Sequence, residues 1–136
     1  MKKRMRHEEE KTMIKVGLIG LGYWGPNLAR VLWQAPKCEF TACCDLDTQR
    51  LQKVASQYPS VQRFRDAGEL LASDVDAVAI ATPICTHYQL ARQALLRGKH
   101  VFVEKPLAET SARARELDEL ARFTQRSALL GTTPAI

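Results

Sequence analysis

Apolar positions along this chain keep two alternating rhythms. Ile14-Lys15-Val16-Gly17-Leu18-Ile19 is a short β-branched run flanked by glycine, which predicts a strand. Behind it Leu28, Val31 and Leu32 recur at helical spacing, with Pro26 suited to a first helical turn and Pro36 closing the segment. A second strand is predicted over Glu39 to Cys44, ending on Asp45, and helical spacing returns at Leu51, Val54 and Ala55. A short strand near Val61 to Phe64 and a brief helix around Gly68 to Ala72 follow. Val75 to Ala81 is almost continuously apolar, as a strand covered on both faces must be. His87 to Arg97 reads as a helix with Leu90, Ala94 and Leu95 inward and Gly98 as its C′ residue. His100 to Glu104 is the next strand, and Ser111 to Arg126 a long helix carrying Ala114, Leu117, Leu120 and Ala121 on its inner face. Ala128 to Gly131 begins a sixth strand.

Strand and helix alternate throughout, and no hairpin signal interrupts them. The expected fold class is therefore α/β: a doubly wound, mostly parallel sheet of about six strands, a Rossmann dinucleotide-binding fold with helices on both faces.

Composition narrows this further. The chain has 136 residues, enough for one domain, with 46% hydrophobic and 26% charged residues, an ordinary globular balance. Its net charge is +5. Residues 1–12 hold five basic against three acidic side chains and predict a disordered charged tail, leaving 13–136 as the domain. The remaining charges are interspersed, with no basic stripe, so nucleic acid is not an expected partner. No run suits a membrane span and the start lacks an apolar leader core, which makes the cytoplasm the expected compartment. Cys38, Cys43, Cys44 and Cys85 show neither C-x-x-C nor zinc spacing, so no metal is expected. On a strand, Cys43 and Cys44 point to opposite faces.

The chemistry-bearing residues lie at predicted strand ends. Gly20, Gly22 and Gly25 form G-x-G-x-x-G between a strand and a helix, with Tyr23 and Trp24 inside the loop. The first glycine permits the tight turn, the second lets main chain approach a diphosphate, and the third lets helix and strand pack closely. Asp45 ends the second strand 25 residues after Gly20, near the spacing of a carboxylate that binds the adenosine ribose. Such a carboxylate repels a 2′-phosphate, so NAD is expected over NADP, although Arg50 stands one turn away. Asp45 is equally placed to cap the following helix, a role open to Asp47 too. Thr82-Pro83 ends the fourth strand and Thr86-His87 opens the next helix. Each is a candidate cofactor contact, with Thr86 alternatively an N-cap and His87 a first-turn surface residue. Glu104-Lys105-Pro106 ends the fifth strand and aims a lysine at the crevice.

Three segments together resemble one family. They are Gly20-Leu-Gly-Tyr-Trp-Gly-Pro-Asn27, Ala81-Thr-Pro with Thr86-His87-Tyr88, and Gly98-Lys-His-Val-Phe-Val-Glu-Lys-Pro-Leu107. Together they resemble the Gfo/Idh/MocA oxidoreductases over residues 13 to 131. The resemblance implies NAD(P)-dependent hydride transfer at a hydroxyl-bearing carbon of a sugar, nucleotide sugar or polyol, with Lys105 as the catalytic lysine. It also implies a second α/β domain with the substrate pocket, an acid/base histidine and the usual dimer surface. That domain is not in these 136 residues, and Thr132 to Ile136 departs from the family's usual His and aromatics, which reads as truncation. A stand-alone NAD-binding module, or a fragment without turnover, is the alternative. A DNA-binding sensor on the same fold has no room for a helix-turn-helix before the first strand.

Overall fold

The computed structural model describes residues 13–104, 108–126 and 128–131. Its strands are β1 (Ile14–Ile19), β2 (Cys38–Cys44), β3 (Gln62–Phe64), β4 (Ala77–Ile80), β5 (His100–Glu104) and β6 (Ala128–Gly131). Between them run α1 (Gly25–Gln34), α2 (Thr48–Gln57), α3 (Ala67–Ala72), α4 (His87–Leu96) and α5 (Ser111–Thr124). All pairings are parallel, and the sheet order is β3-β2-β1-β4-β5-β6. The order reverses beside β1, and in doubly wound sheets that switch point opens the ligand crevice.

Two apolar layers hold the sheet. On one face α1 and α2 bury Leu28, Ala29, Leu32, Leu51 and Val54 against Val16, Leu18, Phe40 and Cys43. On the other, α3, α4 and α5 bury Leu70, Leu71, Leu95 and Leu117 against Ile19, Val78, Ile80 and Val101. Cys43 and Cys44 divide between these layers as strand alternation predicts. Burial lifts the Cys43 thiol to about 12, with the neighbouring Cys44 adding to the rise, and lifts Cys44 to about 11, with Asp45 adding to it.

Several local expectations are corrected. In α1 the buried stripe is Leu28, Ala29 and Leu32, while Val31 is only half-buried. Ala91 joins Ala94 and Leu95 as fully buried, while Leu90 is half-buried and packs against the same layer. In the sheet, β4 keeps Ala77–Ile80 of the apolar run, and Asp76 just before it accepts from the Lys15 N–H with its carboxylate. At its end α5 stops at Thr124, where Gln125 turns left-handed at φ 59°. A 3-10 turn over Ile84–Thr86, unforeseen in the sequence, leads into α4. Gly98 does take the left-handed C′ conformation, with φ +77°.

A bulge between Val16 and Gly17 shifts the β1–β2 register, so Val16 faces Phe40 but Gly17 faces Ala42. It brings Phe40 and Cys43, three residues apart, onto one face, where strict alternation forbids it.

Candidate cofactor-binding site

Register builds the site. Ile19 pairs with both Cys44 and Ile80, and Ile80 pairs with Val103. The next residue of each strand, Gly20, Asp45, Ala81 and Glu104, therefore lines one edge of the sheet. Parallel order thus gathers the main chain of the described strand-end candidates on that edge.

Gly20 turns the chain there with φ +103°, and a Cβ on it would sit 2.8 Å from the carbonyl carbon and oxygen of Ala81. Its N–H donates to the Cys44 carbonyl at 2.9 Å, which wedges the bend between β2 and β4. A Cβ on Gly25 would lie 2.7 Å from the Gly20 carbonyl oxygen, so the first turn of α1 rests directly on the bend. Gly22 differs: a Cβ there would touch nothing nearer than the Arg50 Nη1 at 3.5 Å. The main chain is thus bare on the side where an anion would approach.

The start of α1 adds favourable electrostatics. Its N-cap residue, Trp24, makes no side-chain cap bond, and its first turn contains no acidic residue. Its N-terminal donors and positive dipole end therefore stay unneutralised by the protein's own carboxylates. Tyr23 is 88% exposed and Trp24 43%, their rings packed edge to face at 4.9 Å. A cleft of about 560 Å³ opens beside the bend between α1 and α2, bordered by Gly22, Tyr23, Pro26, Arg50, Lys53 and Gln57.

Asp45 joins this bend to the next strand-helix connection. Its Oδ2 accepts from Leu21 N–H at 2.8 Å and its Oδ1 from Asp47 N–H at 2.8 Å. The cap of α2 belongs to Asp47, whose carboxylate accepts from Gln49 N–H at 2.9 Å. Arg50 reaches across both acids, 3.7 Å from Asp45 Oδ2 and 3.7 Å from Asp47 Oδ2. The spacing that suggested Asp45 carried no sign of its bond to Leu21; only the folded geometry supplies it.

After β4 the candidate contacts divide. Thr86 Oγ1 donates to the Pro83 carbonyl at 2.6 Å, so the 2.5 Å contact between the two hydroxyls has Thr82 donating to Thr86. Thr86 caps no helix with its side chain. His87 is 3% exposed, and because a carbonyl only accepts, its Nε2–H donates to the Thr82 carbonyl at 2.9 Å. His87 thus braces the Thr82-Pro83 loop from inside, where a surface first-turn position was one expectation; Pro83 itself is exposed. The main chain of Glu104 ends β5 on the site edge, whereas its side chain and all of Lys105 lie outside the described residues. Residues 1–12 lie outside them too. Among the described residues no cluster of three or more His, Cys, Asp or Glu suits a metal ion, and no helix is long and apolar enough to cross a membrane.

Residues 14–132 match the Gfo/Idh/MocA oxidoreductase family, NAD-binding Rossmann fold. The chain is 38% identical over 117 residues to an inositol 2-dehydrogenase of Rubrobacter xylanophilus, covering 85% of this chain and 33% of that protein. It is 36% identical over 129 residues to a glycosyl hydrolase family 109 protein of Shewanella sp. strain ANA-3, covering 86% and 28%. Among solved structures, the Lactobacillus casei scyllo-inositol dehydrogenase with bound NAD(H) and scyllo-inositol superposes with a TM-score of 0.79 at 28% identity, over 88% of this chain and 36% of that one. The chain spans about a third of the length of these relatives. A parallel six-stranded sheet, a glycine bend under an uncapped helix start and a family match over 14–132 converge on one assignment: this chain belongs to the Gfo/Idh/MocA oxidoreductases as a NAD-binding Rossmann domain.

Proposed function

We propose that this domain binds NAD in preference to NADP and presents it for hydride transfer to or from a hydroxyl-bearing carbon of a sugar, nucleotide sugar or polyol. The observation that carries the reading is the Asp45 carboxylate, fastened beside a glycine bend whose Gly22 face is open. The nicotinamide cofactor supplies the hydride acceptor or donor. The residues of the chain bind and orient: main-chain N–H groups at Gly22 and the start of α1 face the diphosphate, and Asp45 accepts from the ribose hydroxyls. Two lone-pair sites of that carboxylate are occupied by main-chain donors, and a carboxylate offers about four. Thr82 and Pro83 border the crevice, held by Thr86 and His87. Tyr23 and Trp24 flank the diphosphate, and Glu104 and Lys105 take the nicotinamide end. Lys105, the catalytic lysine by the family resemblance, orients or polarises the substrate hydroxyl.

The substrate class follows from the relatives, an inositol 2-dehydrogenase and a dehydrogenase holding scyllo-inositol. The reading places the protein in the cytoplasm, in keeping with free thiols at Cys38, Cys43, Cys44 and Cys85.

Fluorescence titration tests it. Trp33 packs on Tyr58 at 5.0 Å, away from the glycine bend, so a Trp33→Phe variant leaves Trp24 as the reporter. NAD should change its emission saturably, and NADP should bind at least about tenfold more weakly, a difference of ~1.4 kcal/mol. No change at millimolar NAD would sink the proposal. Oxidation of a polyol panel, compared with Lys105→Ala, tests the catalytic assignment separately.

A further inference from the structure

The Asp45 carboxylate is only 10% exposed, and each of its oxygens already holds a main-chain N–H from a different loop. One donor, Leu21, lies inside the glycine bend; the other, Asp47, opens the connection to α2. Arg50 draws Asp45 and Asp47 together from the outer side and is the nearest neighbour of the open Gly22 position. Beyond Asp45, the bend is tied to β2 by the Gly20 N–H bond to the Cys44 carbonyl, one residue earlier on each side. The two bonds are successive rungs: Gly20 to the last residue of β2, then Leu21 to the side chain that follows it.

We propose that Asp45 is a positioning residue for the diphosphate cradle as well as an acceptor for ribose. Its bond to Leu21 fixes the direction of the main chain entering Gly22, so ribose recognition and diphosphate recognition are one coupled unit. This rests on the dinucleotide reading above and adds to it. Charge and clasp make opposite predictions for a phosphate ligand. A carboxylate that only repels anions and binds ribose would, once removed, leave a ribose-modified diphosphate bound as tightly as before or more so. A carboxylate that shapes the cradle would, once removed, weaken that same ligand.

The probes are ADP and 2′,3′-dideoxyadenosine diphosphate, measured by calorimetry on the wild-type chain and on Asp45→Ala. The clasp predicts that Asp45→Ala weakens the dideoxy ligand by about tenfold, the range of a hydrogen bond to a charged acceptor. Unchanged or tighter binding of the dideoxy ligand overturns it while leaving the cofactor reading intact, provided ADP still binds the wild type. Failure of ADP to bind the wild type overturns both. Amide exchange followed by NMR in the absence of ligand gives a second readout. In Asp45→Ala the Leu21 amide should exchange at least about tenfold faster, with β1 amides such as Leu18 unchanged. Unaltered exchange at Leu21, or equal acceleration along all of β1, overturns the clasp.

Discussion

Three glycines of one motif carry unequal duties, and substitution separates them. Gly20→Ala sets a side chain at φ +103° and 2.8 Å from the Ala81 main chain, so it should cost about 2 kcal/mol or more in urea denaturation. Gly22→Ala meets only the tip of a half-exposed arginine at 3.5 Å, so stability should change by less than about 1 kcal/mol. NAD affinity should nevertheless fall severalfold, because the methyl occupies the side open to the diphosphate. Equal stability losses for the two variants would contradict this division. Motif spacing marked all three positions, yet which glycine serves folding and which serves a ligand depends on what lies beyond each Cα. Cysteine chemistry is likewise set by surroundings. The Cys43 and Cys44 thiols have their ordinary 9.0 raised to about 12 and about 11, chiefly by burial. The unfolded chain therefore releases those protons near pH 9 while the fold still retains them. Stability should be full below pH 9 and decline as pH rises toward 12, a trend that Cys43→Ala with Cys44→Ala should blunt in alkaline melts.

At the scale of elements, each helix start shows how a short pattern becomes a junction. Asp47 caps α2 through Gln49 N–H, and Thr110 caps α5 through Arg113 N–H. Asp47→Ala should cost about 1 kcal/mol by chemical denaturation, and a change near zero would mean that Asp45 or solvent takes over the cap. By contrast α1 has no side-chain cap, and that omission suits the proposed placement of a diphosphate at its first turn. Asp47 was readable as a cap ahead of an amphipathic stretch, whereas Thr110 is identified as one by the fold. The 3-10 turn at Ile84–Thr86 was not, because it is held by Thr86 bonding back to Pro83 and by His87 bonding Thr82. His87 resembles a surface residue in sequence, flanked by Thr and Tyr. It is buried with its ring bonded back across the turn to the Thr82 carbonyl, a contact that no periodicity records.

Seen whole, the molecule has one closed layer and one open one. From β3 onward the crossover helices α3, α4 and α5 all pack on one face, leaving α1 and α2 to cover the other around β1 and β2. An apolar groove of about 380 Å³ remains along β4 and β5, lined in part by Ala77, Ala79 and Phe102. Leu117, fully enclosed under the covered face, should lose about 3 kcal/mol on truncation to alanine. Phe102→Ala, on the half-covered side, should lose less despite removing a larger side chain; a reversed ranking in denaturant melts would refute this picture of the two layers. The alternation of apolar runs and helical stripes was enough to specify a parallel α/β sheet, because each period admits only one way of burying its apolar side. The glycine bend and the place of Asp45 at the end of β2 were readable for a similar reason: a G-x-G-x-x-G between a strand and a helix, and a carboxylate closing the next strand, are marked by spacing along the chain. Folding alone decided the rest. It set the bulge that puts Phe40 beside Cys43, the burial of His87 and the reach of Asp45 to Leu21. Each of these depends on how neighbouring strands and connections sit against one another, and one-dimensional spacing carries no information about distances across a sheet.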